Sequence, residues 1–441
     1  MKIRTPPGMR DFYPEEMRRQ NWLLDHWRSA SRAFGFSEYD GPIFEYLDLY
    51  TLKSGDEIVS QLFNFEDRGG RKFAIRPEMT PTLARMIAAR ANSLARPIKW
   101  FSMPRMCRAE KPQRGRLREF FQWNADILGP DDPLADAEVI ALAVEFLRRV
   151  GLSERDVVVR TSSRPLVSAL FAAIGIAPDK NGRAFELLDR RERMPADVFA
   201  NAWGDTFGAS VPVEKINDLL QKRSPEETIS LAERAGPDGA KAAEDMRGFL
   251  SVLKQFDAWK YCELDLSIVR GLAYYTGVVF EAHPRNVPLR ALLGGGRYDD
   301  LVGMLGGPSI TGIGFGMGDA PVLELLAELG KLPEIADSLD FFVIDADQTV
   351  FSDVLRLVGR LRESGFSADF SYKRTGLGKQ LKTASARNSH YAVIVGAELR
   401  ERQEINLKDL RIGKQRPVNA AAFESDPRAV LDAVCWAEPE G

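Results

Sequence analysis

The stretch from Glu119 to Leu128 constrains the fold more than any other part of the chain. Side chains alternate between the two faces of a strand. Phe120, Gln122, Asn124 and Asp126 therefore fall on one side, and Phe121, Trp123, Ala125 and Ile127 on the other. The second set is a core face; the first combines aromatic, amide and carboxylate. An earlier strand, with Met106, Arg108 and Glu110 on one side, leads into it through a cationic loop, for Arg105 to Arg118 holds six basic residues and one acidic. A merely solvated sheet also sets a polar row opposite an apolar one. It rarely gathers guanidinium, carboxylate, amide and aromatic on paired strands beside a basic hairpin. This pair points to an antiparallel sheet with one packed face and one functional face, and the basic run beside it is of the kind that marks an anionic partner.

That sheet sits in a chain of 441 residues, long enough for two or three domains. Apolar residues make up 44% and the net charge is −3, which excludes disorder for the bulk of the sequence. No apolar run nears the roughly 20 residues that cross a bilayer, so no membrane partner is expected. Met1-Lys2-Ile3-Arg4-Thr5-Pro6-Pro7 has no apolar stretch behind its charges, and a cytoplasmic protein is expected. Cys107, Cys262 and Cys435 are too dispersed for a disulfide framework, and the three histidines form no zinc spacing. No protein-ligated metal is expected.

Trp22, Leu23, His26 and Trp27 are spaced as one face of an amphipathic helix. Residues 34–129 read as short period-two runs parted by glycine, proline and charged turns, and so as antiparallel strands. A helix from Leu134 to Val150 and a strand from Asp156 to Arg160 follow. Residues 163–254 are rich in Ala, Glu and Arg, with helical periodicity and no strand signal. Period two returns from Tyr261 to His283, a helix spans Ala320 to Leu329, and Gly330-Lys331-Leu332-Pro333 is a linker. Beyond it, strands at Asp340–Asp345, Ala368–Tyr372 and Tyr391–Val395 alternate with helices at Phe351–Glu363 and Leu377–Ala386. The expected fold is an α+β domain on an antiparallel sheet (1–162 and 255–330), a helical insertion (163–254) and a C-terminal α/β domain (338–441). The last is locally basic, with eleven basic residues against four acidic from Ser371 to Ala420.

The wording Arg108-x-Glu110-x-Pro112-Gln113-x-Gly115-Arg116-x-Arg118-x-Phe120 resembles motif 2 of class II aminoacyl-tRNA synthetases, and in particular the histidyl-tRNA synthetase family. Val269-Arg270-Gly271-Leu272-Ala273-Tyr274-Tyr275-Thr276-Gly277 and Leu293-Gly294-Gly295-Gly296-Arg297-Tyr298-Asp299 are similar to two signatures of that family. Arg76-Pro77-Glu78-Met79-Thr80 matches the lining of its histidine pocket. Gly41-Pro42-Ile43-Phe44-Glu45 resembles motif 1, whose proline lies at the dimer interface of class II enzymes. The resemblance implies a class II catalytic domain, an anticodon-binding C-terminal domain and a homodimer. It covers residues 1–340 strongly and 341–441 more loosely.

The same resemblance implies residue roles. Arg108 would grip the α-phosphate of ATP and the amino-acid carboxylate, Arg270 would be a second cation beside them, and both would be catalytic. Glu110, Arg116 and Phe120 would complete the ATP site, with Arg116 on the distal phosphates and Phe120 under the adenine. Glu78 and Thr80 would face the α-amino group of histidine. Gln122, Asp126, Tyr274, Tyr275 and Tyr298 would finish the histidine pocket. Gln113 and Arg114, with Lys373 and Arg374 in the C-terminal domain, would touch tRNA. ATP is a substrate in this reading, with Mg²⁺ bound mainly through it, and tRNA(His) and histidine are the other partners. The chemistry suits the residues, since a planar guanidinium binds phosphate oxygens in pairs. A site that hydrogen-bonds both ends of an imidazole rejects ring analogues by leaving buried groups unpaired.

One motif departs from the family pattern. Gly312-Ile313-Gly314-Phe315-Gly316-Met317-Gly318 stands where motif 3 belongs, but Pro321 occupies the position of an arginine that contacts the γ-phosphate. A hydrogen bond to a charged group is worth roughly 1.5–3 kcal/mol, so weaker ATP binding is expected. Two other readings follow: a non-catalytic regulatory subunit of ATP phosphoribosyltransferase in histidine biosynthesis, or a tRNA-sensing module. The C-terminal domain and the retained Arg108, Arg116 and Arg270 favour the ligase.

Overall fold

The computed structural model describes residues 3–54, 62–191, 194–270, 274–434 and 436. Gly271, Leu272 and Ala273 of the Arg-Gly-Leu signature, and Cys435, lie outside them. The chain divides into two compact units, Met1–Pro333 and Glu334–Gly441.

The first unit is organised by helix α1 (Pro14–Ala33), α2 (Thr80–Arg90), α3 (Pro133–Arg149) and α4 (Asp319–Glu328), and by strands β1 (Ile98–Ser102), β2 (Glu119–Leu128), β3 (Val157–Ser163), β4 (Val278–Pro284), β5 (Leu293–Arg297) and β6 (Gly312–Gly318). They form a sheet in the order β1-β2-β6-β5-β4-β3, antiparallel throughout. Two edge pairings are parallel instead: Ser37–Glu38 on β1 and Cys262–Leu264 on β3. Arg105–Cys107 pairs antiparallel with the start of β2, but the strand ends there, so Arg108 and Glu110 lie in the connection beyond it rather than on a strand face with Met106.

The core face of β2 is the one its alternation requires. Trp123 and Ala125 are fully buried and Ile127 nearly so. Trp123 stacks on Trp27 of α1 at 6.0 Å, meets Phe146 of α3 at 5.6 Å and Phe315 of β6 edge-on at 4.9 Å, and donates its indole N–H to Ser31 Oγ at 2.9 Å. One apolar layer thus fixes the sheet against α1 and α3 and leaves its other face free for a site.

Residues 34–129 are not strands alone. Helices Asp48–Ser54 and α2 interrupt them. In α2, Leu83, Ala84 and Ile87 share a buried stripe at helical spacing, and Pro81 sits in the first turn, where its missing N–H costs nothing. From Arg164 to Gln255 the described residues form helices without strands, and the longest, Pro237–Gln255, packs on α3 and on Arg164–Ile174 within one continuous core.

The second unit carries a five-stranded sheet ordered Ala368–Phe370, Phe341–Asp345, Tyr391–Val395, Glu404–Asp409, Gln415–Asn419. The first three strands are parallel and the last two antiparallel, with helices Phe351–Glu363 and Leu377–Ala386 packed against the sheet. The final two strands were not read from the sequence: Glu404–Asp409 alternates buried Ile405, Leu407 and Asp409 with half-buried neighbours, and Gln415–Asn419 buries only Val418. Among the described residues of either unit, no helix is long and apolar enough to cross a membrane.

Candidate active site

Strand register lays out the floor of the site. Asn124 of β2 is opposite Gly316 of β6, which is opposite Gly294 of β5 and then Glu281 of β4. One step along, Asp126, Gly314, Gly296 and Val279 form the next row, and Gln122 faces Gly318 in the row before. All of these side chains share the face opposite Trp123. The two middle strands contribute only glycine to it, so the polar side chains of β2 and β4 border a strip of bare backbone. A Cβ on Gly314 would collide with Asp126 Oδ1, and one on Gly294 would collide with the Arg270 guanidinium.

A cavity of about 1000 Å³, its mouth included, stands on this floor. Its lining brings together Glu78, Thr80, Arg108, Glu110, Arg116, Phe120, Gln122, Arg270, Tyr274, Tyr275 and Tyr298, residues that the sequence scatters over more than 200 positions. Asp126 lies just behind, accepting a hydrogen bond from Tyr298 Oη at 2.7 Å.

Arg108 donates from Nε to the Pro77 carbonyl at 3.0 Å, and its guanidinium lies 5.2 Å from the centre of the Phe120 ring. Burial lowers its pKa, opposed by the charges of Glu78 and Glu110. Arg270 holds a left-handed backbone, φ 56°, and ion-pairs with Glu281. Arg164 fixes that turn by donating to the carbonyls of Arg270 at 2.8 Å and Tyr275 at 2.9 Å. Glu281 also meets His283 Nε2 at 2.8 Å. Burial alone would raise the Glu281 carboxyl, but the His283 hydrogen bond and the Arg270 charge outweigh it and hold it at about 2.

Glu78 accepts from Tyr274 Oη at 3.0 Å, and burial raises its pKa against the pull of both Arg108 and Arg270. One carboxylate thus senses both guanidinium groups, which places them around one space. Asp126 is pushed up to about 7 by burial, with only the Tyr298 hydroxyl opposing. Tyr274 packs edge-on against Tyr275 at 5.0 Å and Tyr298 at 6.1 Å.

The basic hairpin is closed by mutual backbone bonds of Gln113 and Arg116 at 2.9 Å, and Arg116 ion-pairs with Glu110 inside it. Gln113 is exposed at its tip and lies outside the cavity lining. Arg114 turns away from the cavity to Glu328 and Glu324 of α4. In the second unit Lys373 is exposed, whereas Arg374 donates to Asp345 at 3.3 Å and covers the Phe351 ring at 4.4 Å.

Pro321 lines the cavity as the third residue of α4. The helix start is held by buried Asp319, which accepts from the Phe121 backbone N–H at 3.1 Å and pairs with Arg10 at 2.6 Å. Sequence reasoning missed Arg290 and Asn124 in the lining and the ties of Glu281 to Arg270 and His283. Asn124 was legible on the wet face of β2; Arg290, in an aperiodic loop, left no signal.

An antiparallel sheet carrying a motif 2 hairpin, with arginines and a carboxylate converging above a glycine floor, defines the catalytic domain of a class II aminoacyl-tRNA synthetase. Residues 8–320 match the family described as histidyl-tRNA synthetase, and residues 340–425 match the anticodon binding domain. A histidine–tRNA ligase from Opitutus terrae is 40% identical, covering 92% of this chain and 93% of its own length. The chloroplastic/mitochondrial histidine–tRNA ligase of Arabidopsis thaliana is 37% identical over 96% of this chain and 86% of its own. The fold matches the crystal structure of histidyl-tRNA synthetase from Nostoc sp. PCC 7120 with a TM-score of 0.80 at 24% identity, covering 97% of this chain and 100% of that one. The chain belongs to the histidyl-tRNA synthetase family.

Proposed function

We propose that this protein is a histidine–tRNA ligase: it joins histidine to ATP as histidyl-adenylate with release of pyrophosphate, then passes the histidyl group to the 3′ end of tRNA(His). The observation that carries the reading is the convergence of Arg108 and Arg270 on Glu78 within one cavity.

The work of such a site is positioning and charge stabilisation, with no protein nucleophile. The histidine carboxylate attacks the α-phosphorus of ATP, and pyrophosphate leaves with the bonding electrons. Arg108 and Arg270 face the negative charge that grows there. Glu78 and Thr80 take the α-amino group, Gln122 contacts the substrate beside them, and Tyr274, Tyr275 and Tyr298 enclose the imidazole with Asp126 behind. Phe120 carries Arg108 on one face of its ring and offers stacking area to the adenine. Glu110 holds Arg116 toward the distal phosphates. Among the described residues no three His, Cys, Asp or Glu side chains cluster as metal ligands. Mg²⁺ would arrive with the nucleotide, held mainly through its phosphates, and would offset their charge.

We further assign the hairpin residues Gln113 and Arg114 to the tRNA acceptor end, and Lys373 and Arg374 to the anticodon arm. Arg114 and Arg374 would exchange their present carboxylate partners for phosphate. Aminoacylation of total tRNA with each amino acid tests the proposal. Charging with histidine alone is expected. Tight histidine binding without charging would transfer the protein to the regulatory-subunit reading, and tRNA binding without any adenylate would transfer it to the sensing module.

A further inference from the structure

Four arginines line the cavity: Arg108, Arg116, Arg270 and Arg290. Only the first three belong to motifs recognised in the sequence. Arg290 lies in the loop joining β4 to β5, three residues before β5 begins. Register fixes where that is. Leu293 at the start of β5 is opposite Met317 near the end of β6, and Gly318 is opposite Gln122 near the start of β2. The β4–β5 loop, the first turn of α4 and the motif 2 hairpin therefore emerge at the same end of the sheet. Asp126, Gly314 and Gly296 lie two rows further in, toward the histidine end.

Side-chain contacts narrow the placement. The position of a Cβ on Gly115, in the hairpin, is 3.5 Å from Arg290 Cγ and 3.6 Å from its Cδ, and 3.7 Å from Glu324 Oε2 of α4. The Arg290 stem thus lies against the hairpin at Gly115, a point that Glu324 of α4, one turn from Pro321, also approaches. Arg290 is exposed at the mouth, whereas Pro321 on the neighbouring wall has no charge and no donor. A triphosphate carries most of its negative charge at its distal end, which a guanidinium at the mouth of the cavity would meet.

We propose that Arg290 is a catalytic residue that contacts the β- and γ-phosphates of ATP, supplying from the β4–β5 loop the cation that α4 lacks at Pro321. The proposal rests on the reading of this cavity as an ATP site. Arg290 also binds the pyrophosphate leaving group as the bond to the α-phosphorus breaks, so its charge acts on forward and reverse reactions alike.

Histidine-dependent ATP–pyrophosphate exchange, with calorimetric titration of ATP and of AMP, tests it on the full chain. Arg290→Ala is expected to raise the KM for ATP and for pyrophosphate by about 10- to 100-fold, the range of one charged hydrogen bond. KM for histidine and affinity for AMP, which lacks the distal phosphates, stay within about twofold; an intact AMP titration also shows that the variant is folded. Arg290→Lys should recover part of the loss, since it keeps charge but not the fork. Pro321→Arg should recover most of the loss in the Arg290→Ala background and do much less alone, a coupling that independent sites do not show. An unchanged KM for ATP in Arg290→Ala, an equal loss of ATP and AMP, or a Pro321→Arg effect of the same size in both backgrounds would overturn the assignment. If the unsubstituted protein shows no exchange, the ATP reading itself falls and takes this assignment with it.

Discussion

Arg270 crosses the sheet directly above Gly294, and its guanidinium occupies the space in which any other residue would place a Cβ. Gly294→Ala is therefore expected to displace Arg270 while leaving the strand pairing intact, because the colliding atoms are the end of one side chain rather than backbone. The adenylation rate should fall about 10²- to 10³-fold, as when one oriented donor to a developing charge is lost. Arg270→Ala should reproduce the loss. Circular dichroism of both variants should match the parent. Exchange at the parental rate in Gly294→Ala would show that Arg270 has room to act from elsewhere.

The pH dependence of Asp126 offers an independent check. Its folded pKa of about 7 lies well above the ordinary carboxylate range because burial disfavours the charged form. The folded state then binds this proton more tightly than the unfolded chain. Asp126 thus favours folding at acid pH, and its contribution is lost as pH rises from about 4 through about 7. Asn at this position cannot titrate. The Tm difference between parent and Asp126→Asn is expected to shift steadily against the parent over that window and to level off above it. A flat difference would mean that Asp126 is ionised in the folded protein throughout.

Adjacent residues of β2 should fail in opposite ways. Trp123 is fully buried among Trp27, Phe146 and Phe315. Trp123→Ala is expected to cost about 3–5 kcal/mol in urea unfolding. Gln122, one position earlier, faces the cavity. Gln122→Ala should leave the unfolding midpoint within about 0.5 kcal/mol of the parent, as for sites away from the packed core, and instead raise the KM for histidine. Equal destabilisation by both would contradict the assignment of one face to packing and the other to substrate.

That alternation is also why so much of the site was legible. A strand with one dry and one wet face announces both in its sequence, and the glycines of Gly294-Gly295-Gly296 and Gly312–Gly318 announce bare backbone. Helices Phe351–Glu363 and Leu377–Ala386 begin and end where their periodicity does. Three things were hidden for physical reasons. Helix α2 has a narrow apolar stripe and follows strand-like residues, so local pattern favours the wrong period. Arg290 is placed by a hairpin crossing of two strands, which no local rule encodes. The Glu281 carboxylate serves Arg270 and His283 at once through the left-handed turn at Arg270, and a single residue at positive φ leaves no periodic trace.

The three-stranded sheet of Phe44–Tyr46, Asn64–Glu66 and Lys72–Ile75 carries the remaining prediction. Phe44 meets Phe65 at 5.5 Å and Phe73 at 5.4 Å, and Tyr46 stacks on Phe73 at 5.1 Å. Yet Ile43, Phe44, Tyr46 and Phe65 stay 65%, 48%, 55% and 42% exposed. Aromatics already packed edge to edge, and still open to water on their outer side, form the kind of contiguous apolar patch that marks a protein interface. The patch lies beside Pro42, in the segment that resembles motif 1, so a second copy of the chain is its expected occupant, joined through a twofold interface that repeats the same patch. Phe65→Glu puts a charge at the centre of that contact without touching the core beneath. It is expected to convert a dimer of about 99 kDa, twice the 49.3 kDa chain, into a monomer in sedimentation velocity. Phe65→Leu, which keeps an apolar surface, should remain dimeric. A Phe65→Glu protein that still sediments as a dimer would place the interface elsewhere and leave this patch to a different partner.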